Sequence, residues 1–143
     1  MKLNEIYKLF IEFGIENDPR GKDEVKKLLE ERKKEYEKLD DKEREFFDKD
    51  SLFNPYGDTR ILYGTGEEEI KKIIVGIDVD SAEVMLAKDL GYDLVISHHP
   101  RGYALLNIPD VMKLQEDALV NYGVPINIGQ KLMAKRISEV DRA

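Results

Sequence analysis

Two histidines stand side by side in this chain, His98 and His99, and it holds no others. They close the run Asp93-Leu94-Val95-Ile96-Ser97-His98-His99-Pro100. A short apolar run ending in imidazoles and a proline reads as a buried strand with chemistry at its carboxyl end. Imidazole nitrogen beside carboxylate oxygen suits a divalent ion such as Zn, Fe, Mn, Co or Ni. The nearby carboxylates are Asp78 and Asp80, which follow the preceding apolar run, Ile73-Ile74-Val75-Gly76-Ile77. Asp80 fits a helix N-cap, leaving Asp78 as a ligand or as the group that orients a water. Neighbours on a regular strand face opposite ways, so one ion shared by both histidines requires the strand to break before Pro100. Otherwise each histidine serves a different ion, or one of them is structural, and the further alternative is two histidines that cap the strand end through backbone hydrogen bonds.

Other chemistries lack their residues. Without cysteine there is no thiol nucleophile, disulfide or thiolate metal site. Gly64-Thr65-Gly66 runs into three glutamates, which would repel a phosphate, and no Gly-x-Ser-x-Gly elbow occurs. A net charge of -7 and a pI near 5.0 argue against general nucleic-acid or anionic-membrane binding. No apolar run reaches membrane-spanning length, and Met1-Lys2-Leu3-Asn4-Glu5 does not open a signal peptide. These features point to a reducing cytoplasm, and the Lys/Glu richness to a thermophilic source.

The elements that must position the histidines follow from periodicity. Leu3, Ile6, Tyr7, Phe10 and Ile11 share one helical face, with Gly14 as a stop. Asp18-Pro19-Arg20-Gly21 is a turn, and a charged helix runs from about Lys22 to Leu39. Asp41 to Asp48 adds a shorter helix with Phe46 and Phe47 inward. Asn54-Pro55-Tyr56-Gly57-Asp58-Thr59-Arg60 is a loop in which Tyr56, Asp58 and Arg60 are turn residues, and Ile61-Leu62-Tyr63 is a short strand. Residues 1–60 thus form a helical segment packed on residues 61–143, an α/β domain. There, strands at 73–77, 94–96 and 124–128 alternate with helices opened by the Asp80–Glu83 pair and by Pro109. The predicted fold class is α/β, a parallel sheet of βαβαβ type with an N-terminal helical extension. Asn127, Gly129 and Gln130 then join Asp78, His98 and His99 at the carboxyl ends of the strands.

At Gly76-Ile77-Asp78-Val79-Asp80, and again from Gly91 through His98-His99-Pro100, the chain resembles the NIF-three-like family, also called GTP cyclohydrolase I type 2-like. The resemblance covers about Lys72 to Val140, the N-terminal portion of that family's longer chain. It implies a dinuclear metal centre, a homo-oligomer (hexamer or dimer), and metal-dependent hydrolysis of a small molecule, with GTP named by the family label. His98 and His99 match the family's adjacent histidine ligands. The family's His-Thr-x-x-Asp segment is replaced here by Gly129-Gln130-Lys131-Leu132-Met133. Glu139 or Asp141 is the substitute carboxylate. The family's later His and Glu have no counterpart, so the chain is expected to be a truncated form or to carry an incomplete site. The second expectation is therefore a non-catalytic regulatory or interaction protein.

Overall fold

A computed structural model describes residues 1–140 and 142. Helices α1 (Leu3–Glu16), α2 (Lys22–Lys38) and α3 (Asp41–Phe46) lead into a 3-10 turn at Lys49–Leu52. The strand β1 (Ile73–Gly76), helix α4 (Ser81–Asp89) and strand β2 (Leu94–Ser97) form a βαβ unit. A 3-10 segment, Gly102–Asn107, then leads to α5 (Ile108–Met112), α6 (Leu114–Asn121) and α7 (Ile126–Val140). β1 and β2 pair in parallel, Ile73 with Leu94 through Gly76 with Ser97. The class is α/β, as the alternating pattern predicts.

The first helix is sewn to the segment that feeds β1. Leu3 N–H bonds to Glu68 O, Asn4 N–H to Gly66 O, and Ile70 N–H to Met1 O. Leu3, Ile6 and Ile70 pack together there, with Ile61 and Leu94 against them. The α1 face read from the sequence buries Leu3, Ile6, Tyr7 and Ile11, while Phe10 stays exposed. Gly14 does not stop the helix. It lies inside α1, and a Cβ there would come within 2.7 Å of the Tyr56 ring. Glycine is required by close approach, not by a cap.

Two loops hold this region by one device, a side-chain acceptor that bonds an amide two residues on. Asp18 Oδ1 accepts from Arg20 N–H at 2.9 Å, and Asn54 Oδ1 accepts from Tyr56 N–H at 2.8 Å. Asp18 also takes the Arg20 guanidinium through both oxygens and the Tyr56 hydroxyl at 2.9 Å. Burial pushes the Asp18 carboxyl up, but the Arg20 guanidinium and backbone N–H and the Tyr56 hydroxyl outweigh it and hold it below its usual range. Asn54 is fully buried, and its amide donates to the Tyr7 hydroxyl and to Thr59 O, both at 2.8 Å. Asp58 is a turn residue, as read, in the turn closed by Thr59 N–H on Tyr56 O, whereas Tyr56 and Arg60 flank that turn and serve as anchors. Arg60 bonds to Tyr56 O and Thr59 O and pairs with Asp48.

Several predicted elements are corrected. The expected third strand, Val124–Ile128, is instead the two residues before α7 and the first turn of that helix, where Ile128 and Gly129 N–H already bond to Pro125 O. Proline tolerates a helix start, and Gly129, Met133 and Ile137 share the helical spacing on one side. Gly129 comes close to Glu116 O and Leu119, which lets α7 lie against α6. The sheet therefore has two strands among the described residues, βαβ in place of βαβαβ. Ile61–Tyr63 forms no strand, since no neighbour pairs with it, and Tyr63 is almost fully exposed. Phe46 points outward, 87% exposed, whereas Phe47 packs on Tyr36 with ring centroids 4.9 Å apart. The helix expected from Pro109 breaks at Lys113 into α5 and α6.

Two stability predictions follow. Gly14→Ala gains about 1 kcal/mol of helix propensity, but the Tyr56 clash costs about 1–3 kcal/mol. Denaturant unfolding should show net destabilisation in the wild-type background and stabilisation in a Tyr56→Ala background. Asp18→Asn should cost about 1–3 kcal/mol at neutral pH. The folded carboxyl titrates lower than the unfolded one, so its contribution is full above the ordinary pKa, about 3.9, and fades as pH falls through the folded value. Thermal melts from pH 7 to pH 2 should show the two proteins converging at the acid end.

Candidate functional site

The histidines sit where β2 stops. β2 ends at Ser97, yet the next two amides still bond toward β1 and the residue after it. His98 N–H donates to Gly76 O at 2.8 Å, and His99 N–H to Ile77 O at 2.9 Å. The Ser97 hydroxyl donates to His99 O at 2.6 Å, which bends the chain ahead of Pro100. At the other end of β2, the Asp93 carboxylate accepts from Lys71 and Lys72 N–H at 2.9 and 2.8 Å. Both ends of the short sheet are thus tied by hydrogen bonds between the residues that flank its strands.

The bend brings the two imidazoles together. Their centroids are 5.3 Å apart and their planes differ by 33°. An ion bound tetrahedrally through one nitrogen of each ring would set the centroids roughly 5 Å apart. His99 Nδ1 lies 2.8 Å from Asp78 Oδ1. The His99 hydrogen bond holds the Asp78 carboxyl below its usual range, with help from the positive field of Arg101. Asp80 is the N-cap of α4, as its spacing predicts, with Glu83 Oε2 accepting its N–H at 2.8 Å. In kind and spacing, His98 and His99 fit a divalent ion, with a carboxylate behind one of the rings. Among the described residues, no group of three His, Asp or Glu side chains is placed to hold one.

The other candidates do not join them. Glu139 lies in the last turns of α7, where its nearest cation is Lys135 at 3.8 Å on an exposed face. Asn127, Gly129 and Gln130 are in the same helix. The missing third strand is the reason, because α7 packs on α5 and α6 and not beside the sheet. Asp141 lies outside the described residues. Sequence reasoning missed how firmly the loops at Asp18 and Asn54 are built. The available signal was that each of these residues precedes a proline, at Asp18-Pro19 and Asn54-Pro55.

Residues 45–121 match the model of the Duf34/NIF3 (NGG1p interacting factor 3) family. That span covers more than half of the chain, and it includes Asp78, His98 and His99. The chain belongs to this family. No curated protein matches it. It is similar to a solved NIF3 superfamily protein from Sphaerobacter thermophilus, at 36% identity and a TM-score of 0.47. The similarity covers 50% of this chain and 26% of that one, so it spans about a quarter of the longer NIF3 protein. No helix of the described residues is long and apolar enough to cross a membrane.

The two aspartates of this NIF3-family segment have different work and should separate on mutation. Asp80→Ala removes the α4 cap and should lower the unfolding midpoint measurably. Asp78→Ala removes only an exposed hydrogen bond and should leave the melting curve almost unmoved. Urea unfolding of the two variants beside wild type checks this.

Proposed function

We propose that the chain is a divalent-metal-binding member of the Duf34/NIF3 family, with His98 and His99 as its protein ligands. The observation that supports this most is the pairing of the two rings at the bend after β2, 5.3 Å apart. The chemistry proposed with it is metal-assisted hydrolysis of a small molecule. A divalent ion such as Zn, Fe, Mn, Co or Ni supplies Lewis acidity and makes water more acidic. The chain itself contributes the two imidazoles, the Asp78 carboxylate 2.8 Å from His99 Nδ1, and the Arg101 charge two residues beyond His99. The backbone bonds to Gly76 O and Ile77 O tie the main chain of both histidines to β1 and the residue after it.

A second reading is a non-catalytic interaction or regulatory protein with an incomplete site. It is favoured by the lack of a third clustered donor among the described residues. Exposed Ile73, Val75 and Ile77 on and just beyond β1 support homo-oligomer formation under either reading.

Elemental analysis and light scattering on wild type, His98→Ala and His99→Ala separate these readings. Stoichiometric metal in wild type, lost in both variants, together with hydrolytic turnover, supports the enzyme. Metal with stable assembly and no turnover supports the second reading. Wild type that takes up none of the five ions after incubation overturns metal binding.

A further inference from the structure

We infer that Asp78 is the positioning residue of His99, fixing which ring nitrogen is offered to a divalent ion rather than binding the ion itself. The inference rests on the metal-binding reading of His98 and His99. Asp78 Oδ1 stands 2.8 Å from His99 Nδ1. A carboxylate is ionised at neutral pH and only accepts hydrogen bonds, so the shared hydrogen belongs to Nδ1. The neutral ring then carries its free lone pair on Nε2, across the ring from Asp78.

The main chain supports the same assignment. His99 N–H bonds to Ile77 O, the residue just before Asp78. The dipeptide Ile77-Asp78 therefore holds both the backbone and the ring of His99, while Ser97 holds its carbonyl. His98 has the backbone bond to Gly76 O but no side-chain hydrogen bond among the described residues. One imidazole is locked in orientation and its neighbour is not. Asp78 has no evident structural duty that would explain the contact otherwise. Its side chain is 71% exposed, and the helix cap is Asp80.

Long-range proton–nitrogen spectra of nitrogen-15-labelled histidines in the metal-free protein read the tautomer directly. Zinc affinity by competition with a chromophoric chelator reads the consequence. Wild-type His99 should show the Nδ1–H form, and Asp78→Ala should release it to the solution mixture. Asp78→Ala should also weaken zinc tenfold to a hundredfold. Asp78→Asn keeps an acceptor oxygen, so it should retain the tautomer and most of the affinity. The inference is overturned by Nε2–H at His99 in wild type, or by zinc affinity unchanged in Asp78→Ala. It is also overturned if Asp78→Asn keeps the tautomer but binds zinc as weakly as Asp78→Ala, because Asp78 would then be a ligand. If His98→Ala and His99→Ala bind zinc like wild type, the metal-binding reading itself fails. Amide spectra of each variant report whether the fold is intact.

Discussion

The buried amide of Asn54 is the constraint on which the helical half depends. It has no exposed surface, so each of its polar atoms needs a protein partner. Its donors reach the Tyr7 hydroxyl on α1 and Thr59 O, and its acceptor takes Tyr56 N–H. Its own carbonyl accepts from Arg32 on α2. One side chain and one carbonyl thus tie two helices and a loop into a single arrangement. Burial and the Asp50 carboxylate push the Tyr7 hydroxyl up to about 12, so it stays protonated while it accepts from Asn54 and donates beyond. Apolar packing alone would tolerate sliding between α1 and the loop, whereas a satisfied polar cluster fixes the register. That register passes through α1 to the residues that lead into β1, and so to the site.

The long, strongly periodic elements were legible in the sequence, as were the two strands of β-branched residues. Their signals are local: α1 and α2 carry an apolar stripe, and β1 and β2 lie between clear turns. The Asp80–Glu83 cap was legible for the same reason. Val124–Ile128 was not, because alternating apolar residues over five positions fit a strand and the first turns of a helix alike. What decides is tertiary: Gly129 and Met133 find a partner in the neighbouring helices, and the sheet edge does not compete. Gly14 misleads in a similar way. A glycine near a helix end looks like a cap until the Tyr56 ring appears across from it.

The site was legible as residue types and not as an arrangement. Two adjacent histidines at a strand end mark themselves, and Asp78 follows from the strand before them. Their convergence needed the bend after Ser97, which depends on a hydroxyl-to-carbonyl bond that no periodicity announces. Glu139, one of the carboxylates expected from the C-terminal stretch, stands beside Lys135 on α7, because a helix took the segment of the expected third strand away from the sheet.

A two-stranded parallel sheet is a weak unit on its own. Val75 is 67% exposed, and much of α4 is also open to solvent. The last rungs of its ladder are the amides of His98 and His99. Anything that grips both imidazoles therefore also clamps the open end of the βαβ unit. Occupancy and local folding become one equilibrium, and a ligand at a hundred times its dissociation constant would add about 2.7 kcal/mol to the stability of these strands. Were the proposed ion to bind there, ion and ladder would be thermodynamic partners, each reporting on the other.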